Sequence, residues 1–135
     1  MAAFVITNPV IVFGSTDISD HVTSVTIDDS VADIDTTNMG SGGNHTRTGG
    51  LKDGSISLEM QNDFAASSID SLMWNARGTL VTITVKATSA ATSATNPVYS
   101  ASYLVNQYKL GGKTGDLSMV SVSLPRSGAL TRATS

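Results

Sequence analysis

The sequence predicts a mostly β fold, a β-sandwich or barrel with one short flanking α-helix and a long glycine-rich loop. Short runs in which apolar and polar residues alternate recur along the chain, separated by Gly, Asn, Asp and Pro. Ser and Thr fill roughly a quarter of the 135 positions, while charged residues make up 14% and aromatics 5%. Only one stretch has helical spacing. The length suits a single domain spanning residues 1–135, and the absence of cysteine excludes disulfide stapling. A 40% share of hydrophobic residues is too high for a wholly disordered chain, and no apolar run is long enough to predict a membrane-spanning helix.

Taken in order, Val10 to Phe13 is a short apolar run ending at Gly14. Val22 to Ile27 alternates Val25 and Ile27 with Ser24 and Thr26, and Val31 to Thr36 gives a weaker segment around Ile34. The clearest strand is Gly54 to Met60, where Ile56, Leu58 and Met60 alternate with Ser55, Ser57 and Glu59. Leu80 to Ala87 repeats that pattern. Val98 to Leu110 reads as one long strand with Tyr99, Ala101, Tyr103, Val105 and Gln107 on one face. In Leu117 to Leu124, Val120, Val122 and Leu124 share a face, and Pro125 is expected to stop the strand.

The helical stretch is Ser67 to Gly78, with Ile69, Leu72, Met73 and Ala76 forming one stripe. Ser67 or Ser68 is expected to cap it by accepting a backbone N–H, and Gly78 to take a left-handed conformation after it. Asp70 and Arg77 complement the dipole, and Trp74 is expected to pack the helix. Two segments fit neither period. Asn38 to Gly50, with Gly40, Gly42, Gly43, Asn44, His45 and Arg47, reads as a long flexible loop of the length that commonly carries function. Thr88 to Pro97 is a low-complexity connection.

A net charge of −3 and a pI near 5.0 oppose the basic footprint of a nucleic-acid binder. The charge is graded along the chain. Before Arg47 it is −6, from Asp17, Asp20, Asp28, Asp29, Asp33 and Asp35, whereas beyond Ala76 six bases against Asp116 give +5. If the two ends lie on opposite faces, copies attract head to tail; Asp28, Asp29, Asp33 and Asp35 facing Arg126 and Arg132 are the candidates. The opening Met1 to Pro9 lacks a charged n-region and a cleavage site, so it reads as mature protein made in the cytoplasm.

No motif points to catalysis. His21 beside Asp20 lacks a Gly-x-Ser-x-Gly elbow and reads as a histidine at a strand edge; a small hydrolase using His21 is the weakest of the readings. Two histidines without cysteine make no recognisable zinc site, and no cofactor is expected. Gly111-Gly112-Lys113-Thr114 imitates the end of a phosphate loop, yet its first glycine would have to be Gln107. Asp33 to Thr37 resembles a calcium loop only in its first acids. Asn44-His45-Thr46 is a sequon without a secretory signal.

Larger segments carry a family resemblance. Asp17 to Val25, Gly50 to Leu58 followed by Asp63-Phe64 and the short helix, Ala91 to Tyr99, and the ending Gly128 to Ser135 resemble the tail tube (major tail) proteins of long-tailed, non-contractile bacteriophages. The resemblance implies a structural virion protein in the phage tail, made in the bacterial host cytoplasm. It also implies self-assembly into hexameric rings stacked as a hollow tube that DNA passes through without specific binding. Tape measure and tail-end proteins are the implied partners. The long loop of such proteins reaches neighbouring subunits, and Asn38 to Gly50 matches it by position. A capsid or tail-surface decoration module with an Ig-like β-sandwich is the alternative, since it shares the polar strands and few aromatics.

Overall fold

A computed structural model of the chain describes residues 5–134; the opening Met1 to Phe4 and the final Ser135 lie outside it. Eight strands and one helix follow in the order β1 (Val10–Phe13), β2 (Thr16–Asp17), β3 (Val22–Asp35), β4 (Arg47–Gln61), α1 (Ile69–Ala76), β5 (Leu80–Lys86), β6 (Val98–Leu104), β7 (Leu110–Gly111) and β8 (Met119–Ala133). They form one antiparallel sheet in the order β2-β1-β5-β6-β8-β4-β3, with β7 also paired to β8. The predicted mostly β class with one short helix is what the chain adopts. The path ends on β2 and β3, which have only one neighbour each.

Strand β8 joins the two halves of the sheet. Its first part pairs with β4, from Gln61↔Met119 to Ser55↔Pro125, and its second part pairs with β6, from Tyr103↔Arg126 to Val98↔Ala133. Pro125 therefore does not stop the strand, contrary to expectation. It occupies the last pair with β4, where the ladder passes to a new partner and a missing N–H interrupts little. Apolar side chains from both halves meet in one core. Ile56, Leu58 and Met60 of β4 and Val120, Val122 and Leu124 of β8 are buried with Ile11, Phe13, Ile83, Ala101 and Tyr103. The alternation read from the sequence selects these faces.

The long strand predicted over Val98 to Leu110 is interrupted after Leu104. Val105 is fully buried and turns its backbone to the start of β5, its N–H donating to the Thr79 carbonyl (3.0 Å) and its C=O accepting from Gly78 (2.7 Å). The chain then resumes beside the first part of β8, where the Gln107 amide donates to the Ser123 carbonyl at 2.9 Å. Tyr108 donates its hydroxyl to Asp70 at 2.6 Å, and burial first, then that carboxylate, pushes the phenol up to about 12.

Helix α1 buries Ile69 and Met73 against the core, with Leu72 and Ala76 packed beside them, as its spacing predicts. Two local expectations fail. Ser68 holds the N-cap position, but its hydroxyl donates to Asp63 at 2.9 Å instead of accepting a helix N–H, and Ser67 takes a left-handed conformation at φ 61°. Trp74 lies outside the buried stripe and is 57% exposed, with the Arg77 guanidinium stacked 3.6 Å from its ring centre. Gly78 does adopt positive φ. The low-complexity connection before β6 is organised by Asn96, which is buried and donates its amide to the Ala90 and Ala91 carbonyls at 2.9 and 3.3 Å.

Candidate assembly interface

Strands β3 and β4 outrun the rest of the sheet. The pairs of β4 with β8 end at Ser55, yet β3 and β4 stay paired from Asp29↔Gly54 to Asp35↔Arg47. That two-stranded ribbon has exposed residues on both faces, and at about 3.4 Å per residue it projects roughly 20 Å. The glycine-rich segment is correspondingly shorter than predicted. Arg47 to Gly50 belong to β4, and the connection is confined to residues 36–46. A side chain on Gly50 would meet Ile34 Cδ1 at 2.6 Å and turn that exposed side chain aside. The bare backbone lets Ile34 lie across it.

The tip is closed by its own side chains. Asn38 caps a single 3-10 turn, Met39–Ser41, accepting from the Gly40 N–H at 2.9 Å while the Ser41 hydroxyl accepts from the Asn38 N–H at 3.0 Å. Gly42 and Gly43 follow at φ 65° and 83°, the left-handed region that glycine enters without strain. The Thr36 N–H donates to the Thr46 carbonyl at 2.8 Å, and Thr37 accepts from the Thr46 N–H at 3.0 Å. His45 stands 3.4 Å from Asp35. Met39, the first residue of this turn, is fully exposed.

The root of the ribbon is locked by Arg126. Its side chain is 3% exposed and crosses Gly54 to donate to Asp29 at 2.7 Å, with Nε on the Gly128 carbonyl at 3.1 Å. A Cβ on Gly54 would collide with the Asp28 carbonyl oxygen and lie 2.9 Å from Arg126 Nη1. Of the other charged candidates, Asp33 pairs with Arg47 at 2.7 Å in the ribbon, and Asp28 sits opposite Ser55 at its root. Arg132, further along β8, donates its Nε to the Tyr99 hydroxyl at 3.2 Å. Asn38, Gly40, Gly42, Gly43, Asn44 and His45 are thus gathered at one tip, with Arg47 and Gly50 just below them.

Sequence reasoning passed over what gives this arm its character. Val31, Ile34, Met39 and Leu51 are 50%, 47%, 106% and 88% exposed, so the arm carries apolar surface into solvent. Isolated apolar residues among Asp, Gly and Lys leave no periodic signal. Gly54, at the root, reads in the sequence as a strand start.

The cluster around His21 ties the approach to β3 to the loop after β4. Nδ1 lies 2.8 Å from Asp20 and Nε2 3.1 Å from Asp63, and Asp63 also accepts from the Ala65 N–H (2.9 Å) and the Ser68 hydroxyl (2.9 Å). Only the imidazolium can donate to both carboxylates. Hydrogen bonding to Asp20, then Asp63, raises the His21 pKa above 6.5, and the Ala65 N–H, then Ser68 and His21, lower that of Asp63 below 3.8. Because the folded His21 value is raised, its stabilisation is full below pH 6.5 and disappears as pH climbs through the folded pKa. The Asp63 contribution is present above pH 3.8 and is lost on acidification through its lowered value. His21→Gln is therefore expected to lower the melting temperature more at pH 5.5 than at pH 8.5; equal losses in thermal unfolding at the two values would refute the clasp. The Ser68 hydroxyl is committed to Asp63, so the cluster lacks a serine activated by histidine. Among the described residues, no group of three or more His, Cys, Asp or Glu side chains could hold a metal ion, and no helix is long and apolar enough to cross a membrane.

No protein-family model matches the chain, and no curated protein matches it. Solved structures do. A chain of the virion of the native gene transfer agent (GTA) particle is similar with a TM-score of 0.72 at 15% identity, over 93% of this chain and 95% of that one. A chain from the tail of the empty GTA particle, computed with helical refinement in C6 symmetry, is similar with a TM-score of 0.63 at 14% identity, over 82% of this chain and 81% of that one. At such identity the likeness defines a shared fold. The fold is one found in the GTA virion and in the GTA tail.

Proposed function

We propose that this chain is a tail tube subunit of a phage-like particle, a structural protein without catalysis that assembles into hexameric rings stacked as a hollow tube for DNA. The observation that carries the reading is the projecting β3–β4 arm, with exposed Val31, Ile34, Met39 and Leu51, on a fold shared with the C6-symmetric tail of the GTA particle. Apolar side chains held on a ribbon away from their own core gain burial only against another molecule. The arm, from Asn38 to Gly50 at its outer end, is the inter-subunit element. Asp33 and Asp35 on one face of β3 and Asp28 on the other are its carboxylates, with Arg132 of a second copy as a candidate partner. Arg126 and Asp29 serve the root of the arm.

The outward face of β3, β4 and the first part of β8 is the surface we assign to the lumen. Thr26, Ser57 and Ser123 form one cross-strand row, and Ser24, Glu59 and Ser121 form the next. Lys109 borders these rows opposite the Glu59 carboxylate, so hydroxyls with one charge of each sign offer DNA little net cationic hold, which suits passage without binding. Tape measure and tail-end proteins are the partners this role requires.

Electron microscopy of the purified protein is expected to show rings of about six subunits and stacked tubes. A monodisperse monomer at all concentrations, absent from particle shafts, overturns the reading. Labelling confined to the head would favour the decoration module instead.

A further inference from the structure

A second surface outside the arm is built to receive something. Between α1 and the β1–β2 turn lies a groove of about 540 Å³ with Phe13, Leu72, Ala76 and Val81 along its floor and Ser15 and Asn75 on its rim. Leu72, Ala76 and Val81 flank the core, so the groove is an opening onto the apolar interior. No charged side chain lines it.

We propose that this groove receives the arm tip of a second copy, with Met39 seated on its floor. This rests on the tail tube reading and names the receptor that reading leaves open. Three observations select the occupant. The tip from Asn38 to Asn44 has no charged residue, matching a groove that has none, so neither side strands a charge on burial. Met39 is fully exposed on a capped turn, and an unbranched thioether adapts to an irregular slot lined by Phe13 and Leu72 and by Ser67 and Ser71. The tip stands at the outer end of the β3–β4 ribbon, beyond the last pairs of β4 with β8, whereas the groove is lined by the β1–β2 turn, α1 and the start of β5. None of the tip residues lines the groove of its own chain. Donor and receptor on different surfaces give a head-to-tail contact, the kind that closes rings or propagates filaments.

The chain has no cysteine, so introduced thiols are the only ones present. Purified Met39→Cys protein is mixed with Asn75→Cys or Ser15→Cys protein under assembly conditions and oxidised. Disulfide-linked mixed dimers are expected with both rim variants and not with Lys113→Cys, which lies in the exposed connection between β7 and β8. Met39→Ser, a change at a fully exposed position, is expected to keep the melting temperature and raise the concentration needed for assembly by roughly ten- to a hundred-fold. Tubes that form without the mixed dimers, or that form equally well with Met39→Ser, overturn the docking and leave the tube reading standing. Cross-links only between two Met39→Cys tips, or equal linking to Lys113→Cys, also overturn it. Absence of any ring or tube in the unaltered protein refutes the tube reading itself.

Discussion

Gly54→Val is expected to destabilise the protein by about 2–3 kcal/mol and lower its melting temperature by roughly 10 °C. The cause is local and steric. Gly54 lies where the Asp28 carbonyl and the Arg126 guanidinium both press on the backbone, and neither yields without cost. The carbonyl is part of the β3–β4 ladder, while the guanidinium is nearly buried and already committed to Asp29 and Gly128. A valine pushes Arg126 away from Asp29 and leaves a cation in a dry position without its partner. Gly111→Val is the matching control, because nothing lies within 4 Å of a Cβ there and its φ is not positive. Calorimetry on both variants decides the point; a Gly54→Val protein melting within about 2 °C of the unaltered chain would show that the arm root tolerates crowding.

Replacing residues 36–46 by Asn-Gly is expected to lower the yield of assembled particles at least about ten-fold while leaving folding intact. Asp35 and Arg47 are the outermost paired residues of the ribbon, and a two-residue turn suits their connection. The tip contributes no buried residue in its 3-10 turn, and its hydrogen bonds close on itself. Removing it therefore costs the monomer little. What disappears is Met39 and the capped turn that presents it. Circular dichroism and thermal melts test the first half, and sedimentation with electron microscopy the second. Unchanged tube length and yield would remove the tip from assembly altogether.

The parts of the fold legible in the sequence are those governed by local period. Ile56, Leu58 and Met60, with Val120, Val122 and Leu124, are buried because a pleated strand sends every second side chain to one face. The Ile69 and Met73 stripe follows from helical geometry in the same way. Features set by a distant partner were not legible. Pro125 reads as a stop because a single strand shows no sign that its neighbour changes beside it. Arg126 and Asp29 are 97 positions apart, and no spacing rule joins them. Gly49 and Gly50 read as loop because glycine most often marks a turn, whereas here Val31 and Ile34 lie across their bare backbone. The candidate site was located by its composition, but its architecture was not.

The continuity of β8 sets how the domain fails. A sandwich whose layers meet only through side chains can part like the covers of a book, each leaf keeping its own ladder. Here the two leaves share one spine, paired with β4 from Met119 to Pro125 and with β6 from Arg126 to Ala133. They cannot separate until one of those ladders is torn from the spine, so the leaves are bound to melt as one cooperative unit. A subunit of this kind, pulled between neighbours, either holds its shape or gives way as a whole.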